Sequence, residues 1–237
     1  MSERYPIYDN NYNAPAVIAV DIQKDFLPGG SLAVPGGDEI VEPMNRIDQW
    51  RDSFFPSYLA VTRDWHPRDT AHFAEYGGKW PPHCVQGTEG AELHPDLFRW
   101  YDGNLLNGTV YSKGMSRTDD EYSGWHAVTE AYGRKSSVAE DIIEFALERE
   151  KFRRRLAVFV GGVATEVCLR STVLDALNDR EKSNNAYDVF VLTDAIRAIN
   201  PADGDRAIRE MAAAGAYPIT TDEVVNGAVK IHFSGER

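Results

Sequence analysis

Asp21, Asp64 and Cys168 each stand at or just beyond the end of a short apolar run, at 17–20, 59–62 and 156–160. If these runs are parallel strands, two carboxylates and a thiol reach the carboxyl edge of one sheet, where open parallel sheets bind ligands. Cys168 ends the segment Gly161-Gly-Val-Ala-Thr-Glu-Val-Cys168, which reads as a strand, a glycine pair and a helix start. Thr165 is placed to cap that helix, and the cysteine becomes its third residue. A thiol in a first helical turn feels the positive end of the dipole and has backbone N–H groups beside it, which suits a nucleophile with an oxyanion site. Position alone equally allows a small buried core residue. Asp21 is the candidate base, because a carboxylate directly after four apolar residues is poorly solvated and has a perturbed pKa. A loop-anchoring aspartate is its alternative reading. Lys113, after the short run 109–112, reads as a solvated lysine unless the fold brings it to the same edge.

Asp64 also heads a second group, with His66, His72 and His83 following within twenty residues. The spacing Asp64-x-His66 sends both side chains to one side of an extended segment. Mixed carboxylate and imidazole ligation suits Zn, Fe, Mn or Co.

Positioning these groups requires an α/β framework. Residues 14–20 form a near-continuous apolar run, as expected for a strand covered on both faces. A turn-rich stretch at 27–37 precedes a helix that Asp38 is placed to cap, carrying Ile40, Val41, Met44, Ile47 and Trp50. Residues 57–62 and 109–112 read as strands and 138–149 as an amphipathic helix. The segments 156–160, 164–177, 188–192, 205–214 and 217–219 then alternate strand and helix. That alternation predicts a single-domain, three-layer α/β/α fold with a mainly parallel central sheet. Residues 1–13 read as a flexible arm and 14–237 as the domain. Between 63 and 111 no long periodic pattern occurs, and a loop region of that length is usually functional.

Bulk properties narrow the function classes. Of 237 residues, 43 % are hydrophobic and 11 % aromatic, enough for a buried core. The net charge of −12 argues against a nucleic-acid partner. The basic run at 151–155 reads as a solvated helix end. No run approaches the ~18 apolar residues of a membrane span, and the first residues lack a signal peptide's apolar stretch, so a cytoplasmic protein is expected. Cys84 and Cys168 are then separate thiols.

Taken together, Asp21-Ile-Gln-Lys-Asp-Phe26, Thr62-Arg-Asp-Trp-His-Pro67, Lys79-Trp-Pro-Pro-His-Cys-Val-Gln-Gly-Thr88, Lys113-Gly and Gly162-Val-Ala-Thr-Glu-Val-Cys168 resemble the nicotinamidases (pyrazinamidases) among the isochorismatase-like cysteine hydrolases. The resemblance spans residues 14 to about 220. It implies an isochorismatase-like hydrolase fold and a triad of Cys168 as nucleophile, Asp21 as base and Lys113. It implies one divalent metal, zinc with iron or manganese as alternatives, on Asp64, His66 and His83, with His72 as a further ligand or a contact of the metal's water. It places the substrate ring between Phe26 and Trp80 with Tyr122 on one side, and the oxyanion at the N–H groups of Ala164 and Cys168. A cis peptide is expected between Val163 and Ala164. The implied reaction is metal-assisted hydrolysis of nicotinamide, and of pyrazinamide, to the acid and ammonia, in a homo-oligomer.

Three features depart from the family pattern. Glu166-Val167 replaces the usual aspartate and aromatic before the cysteine, 194–199 lacks the small residues common there, and 115–155 is long. An amidohydrolase for carbamoyl or ureido substrates would keep the triad without needing Asp64, His66 and His83. A metal-free isochorismatase-type hydrolase would lack the cysteine, and a non-catalytic metal-binding domain would make the triad accidental.

Overall fold

The computed structural model describes residues 8–98, 108–150 and 155–232. Among them the elements run β1 (Tyr8–Val20), α1 (Val41–Asp52), β2 (Tyr58–Asp64), β3 (Thr109–Lys113), β4 (Val128–Thr129), β5 (Ser136–Ser137) and α2 (Val138–Glu150). There follow β6 (Arg155–Val163), α3 (Arg170–Asp179), β7 (Tyr187–Arg197), α4 (Pro201–Ala213), β8 (Tyr217–Ile219), α5 (Thr221–Val225) and β9 (Val229–Ile231). The strands join in the order β5-β4-β3-β2-β1-β6-β7-β8, with β9 alongside the start of β1. All pairings from β3 to β8 are parallel, and β4 and β5 add an antiparallel edge.

The continuous apolar runs follow from burial on both faces. In β1, Val17 and Ala19 enter one core while Ala14, Ala16, Ile18 and Val20 enter the other, by the two-residue period of a strand. Phe159 and Phe190, from β6 and β7, stack in the first core, beneath α1 and α5. The second core is closed by α2, α3 and α4 through Ile142, Val173 and Met211. Both layers of helices are therefore present, as the alternating pattern predicts.

Several boundaries differ from the sequence reading. The expected arm is strand from Tyr8 onward, because Tyr12 is buried and Tyr8 packs edge-on against Phe190; residues 1–7 lie outside the described residues. Asp38 does not cap α1. It lies in a 3₁₀ turn, Gly37–Ile40, and Pro43 occupies the first turn of the α-helix, where its missing N–H has no intrahelical partner to lose. Thr165 is not a cap either: Thr165–Leu169 winds as one wide π turn ahead of α3, so Cys168 comes fourth in it. Of the basic run, 151–154 lie outside the described residues and Arg155 pairs with the buried Asp188. No helix among the described residues is long and apolar enough to cross a membrane.

Candidate active site

The strand register brings the chemistry to one edge. Val20 is paired with Thr62 and with Gly162, and Asp64 with Lys113, so Asp21, Asp64, Lys113 and the turn to Cys168 leave the sheet side by side. Gly162 makes the closest approach possible. At its φ of +133° a Cβ would lie 2.1 Å from the Val20 carbonyl oxygen, so only glycine lets β6 pass β1 there.

Lys113 is the centre of the group. Its Nζ lies 2.8 Å from Asp21 Oδ2, 2.5 Å from Asp64 Oδ1 and 3.4 Å from Cys168 Sγ. Thr62 donates to the other Asp21 oxygen at 2.7 Å. Asp21, Lys113 and Cys168 are all buried, so their charges are set by one another. Burial lowers the Lys113 pKa, but the two carboxylates more than reverse this and hold the amine well above its ordinary value. Burial likewise lifts Asp64, yet the charge of Lys113 brings it below the usual carboxylate range. Asp21 goes the other way: burial raises it, aided by Asp64, despite Lys113 and Thr62. Burial also pushes the Cys168 thiol well up, against the pull of Lys113. One cation thus faces two carboxylates, of which Asp64 stays ionised and Asp21 is ready to take a proton. One oxygen each of Asp21 and Asp64 and Cys168 Sγ lie within 4.8 Å of one another, so the thiol proton has a short path to Asp21.

The histidines form a second cluster against the first. One ligand atom from each of His66, His72 and His83 lies within 4.8 Å of the others. Nδ1 of His66 meets the Gly114 carbonyl at 2.9 Å and Nδ1 of His83 the Pro81 carbonyl at 2.8 Å, while Nδ1 of His72 meets Asp120. All three partners only accept, so each Nδ1 is the donor and each neutral ring presents the lone pair of Nε2. Nε2 of His66 is buried with no partner. Asp64 Oδ2 faces the rings at 3.5 Å from His66 Nε2 and 3.9 Å from His83 Nε2. Neutral imidazoles, a carboxylate and an orphaned lone pair fit a divalent metal ion. His72 shares the cluster of rings, while the Asp64 contacts within 4.0 Å are to His66 and His83. His94, the remaining histidine of the long loop, is apart and bonds Asp96 N–H.

Both clusters meet a cavity walled by Cys168, Asp64, the three imidazoles, Phe26, Trp80, Tyr122 and Ala164. Trp80 Nε1 donates to the Tyr122 hydroxyl at 3.1 Å, which donates to Asp120 at 3.0 Å. One hydrogen-bonded chain therefore fixes both aromatic walls and His72. The Val163–Ala164 peptide is cis.

Three supporting residues escaped the sequence reading. Gln23, fully buried, accepts from Asp64 N–H at 2.7 Å and donates to the Asp64 and Ala91 carbonyls at 2.8 and 2.9 Å. Its side-chain amide replaces the peptide that β1 no longer supplies beyond Val20. Asp25 accepts the Cys84 N–H at 2.7 Å, fixing the residue after His83. Asp120 orients His72. For the first two the sequence offers only polar residues two and four places after Asp21, with nothing that marks their partners.

A family model described as the isochorismatase domain matches residues 132–223. The nicotinamidase of Escherichia coli is 34% identical over 218 residues, covering 85% of this chain and 92% of that one. The chain belongs to the nicotinamidase family of isochorismatase-like hydrolases. It is an amidohydrolase, and the nearby solved structures agree in fold. A pyrazinamidase of Pyrococcus horikoshii in complex with zinc is 34% identical with a TM-score of 0.65, over 87% of this chain and 98% of that one. A protein from L. infantum, PnC1 in complex with nicotinate, is 30% identical with a TM-score of 0.68, over 96% and 98%.

Proposed function

We propose that this amidohydrolase converts nicotinamide to nicotinate and ammonia through a thioester on Cys168. The observation that carries the reading is the Asp21–Lys113–Cys168 group set directly against three imidazoles at the base of an aromatic-walled cavity. The nicotinamidase of Escherichia coli and the nicotinate-bound structure of the L. infantum protein support the substrate.

Asp21, the more basic carboxylate, takes the proton of Cys168, and Lys113 stabilises the thiolate as it forms. The thiolate adds to the carboxamide carbon, and the N–H groups of Ala164 and Cys168 receive the oxyanion. Asp21 returns the proton to the departing nitrogen, the C–N bond breaks, and ammonia leaves a thioester. Asp21 then takes a proton from water, the hydroxyl adds to the same carbon, and the C–S bond breaks. The thiolate regains its proton from Asp21, leaving nicotinic acid, which gives its carboxyl proton to the released ammonia or to water and departs as nicotinate. Phe26, Trp80 and Tyr122 hold the ring. A divalent ion, zinc by its liking for this mixed donor set, would rest on Asp64, His66 and His83 with His72 beside them and supply an electrophilic position for the ring nitrogen.

Ammonia release from nicotinamide, compared with benzamide, tests this. Benzamide has the same amide and ring faces but no ring nitrogen, so a site that binds that atom disfavours it by orders of magnitude in kcat/KM. Stacking alone barely separates the two. Near-equal values would favour a general amidase or a carbamoyl hydrolase.

A further inference from the structure

Two of the departures from the family pattern, at Glu166 and at 194–199, meet in space. The Glu166 carboxylate accepts the Asn200 N–H at 2.9 Å and the Ile199 N–H at 3.3 Å. Ile199 is 38% exposed, yet its side chain lines the catalytic cavity, as does Val167, the neighbour of Glu166. A lone exposed isoleucine would mean nothing. This one sits at the cavity mouth on a turn tied from three sides. Asp194 accepts the Thr221 N–H at 2.9 Å, Arg197 donates to Glu39 at 2.7 Å, and Glu166 holds the end. The turn then passes into α4, whose N-cap is Asn200, with its Oδ1 accepting the Ala202 N–H at 2.9 Å.

We propose that Glu166 is a positioning residue that holds Ile199 as an apolar collar over the substrate ring, making Ile199 a determinant of specificity for flat, uncharged heteroaromatic amides. This rests on the amidase reading above and deepens it. A ring in the cavity with its amide at Cys168 leaves an edge toward the mouth, where Val167 and Ile199 would cover C–H groups. A polar substituent there would lose water without gaining a partner. Because the carboxylate binds backbone N–H groups, Glu166 acts through where Ile199 is held and leaves the triad untouched.

The experiment is a steady-state cycle on the metal-loaded enzyme with nicotinamide, using Glu166→Ala, Ile199→Ala and the double variant, together with nicotinamide binding by calorimetry in a Cys168→Ala background. Ile199→Ala is expected to raise KM and Kd by about tenfold with kcat held within about twofold, since a half-exposed side chain gives the lower end of apolar pocket effects. Glu166→Ala should produce a similar rise, and the double variant should add little to either. Glu166→Gln, which keeps an acceptor for the Asn200 N–H, should restore KM to within about threefold of the original. A fall in kcat with KM unchanged in Glu166→Ala would show that Glu166 serves the Cys168 turn, and would overturn the proposal. Multiplying effects in the double variant would overturn it equally. Absence of ammonia release from the unsubstituted chain would instead refute the amidase reading, and the collar with it.

Discussion

Cys168 and Cys84 are both buried, and burial pushes both thiols up. They differ in company. Cys168 has an ammonium 3.4 Å from its sulfur and a raised carboxylate within 4.8 Å, whereas Cys84 contributes its backbone, giving its N–H to Asp25 and its carbonyl to His66. Cys168→Ala or Asp21→Asn should therefore lower kcat by at least about a thousandfold with the fold retained, while Cys84→Ala keeps substantial activity. Ammonia assays beside circular dichroism check this, and equal losses from both cysteines would remove the unique nucleophile. His83 sets a pH limit. Burial holds its ring at about 4, below the ordinary 6.5. Between those values the folded chain binds fewer protons than the unfolded one, so this stability is complete above pH 6.5 and lost as pH falls toward 4. Tm of the metal-free protein should drop over that window, and His83→Gln should flatten the drop. Metal content should fall with it, because a protonated ring has no lone pair to offer.

At the scale of elements, the site depends on where strands stop. Beyond Val20 the main chain turns through Asp21 at φ 53°, and the Gln23 amide takes over the pairing of Asp64. Gln23→Met removes all three of its hydrogen bonds, and metal affinity measured against a chelator should weaken about ten- to a hundredfold, as for other groups that orient ligands. Unchanged affinity would reduce Gln23 to a packing role. Gly162→Ala should destabilise the fold by several kcal/mol, about 3 or more, since β1 and β6 must part where Cβ meets Val20; denaturant titration reads it. The parallel strands and the residues at their ends were legible because apolar runs bounded by reactive side chains are local patterns. Thr165 was misread because a π turn and an α-helix share the same nearby residues, and packing alone decides between them. Tyr8 and Tyr12 were invisible as strand because the residues around them are polar, and their burial comes from Phe190 and Asp188, far along the chain. Gln23 and Glu166 were unreadable for the same reason: their partners are backbone groups that no sequence pattern marks.

At the scale of the molecule, twelve excess negative charges surround a site proposed to take a neutral amide and release an anion. That field disfavours the product more than the substrate, and salt screens it. Raising ionic strength should therefore lower the inhibition constant of nicotinate while KM for nicotinamide stays level. A constant that rises with salt would show that Lys113 and the bound ion dominate product binding. The sheet order carries a different consequence. β1 lies between β2, which follows closely, and β6, which begins at Arg155. During synthesis β1 therefore gains one neighbour early and waits more than a hundred residues for the other. Until then its apolar backbone edge is open to any passing strand, the state in which nascent chains stick to one another. A ribosome paused before Arg155 would hold Asp21, Lys113 and the whole Asp64 and histidine cluster, but neither Cys168 nor the strand β6 that covers the open edge of β1, so a chain halted there carries most of the site on an incomplete sheet.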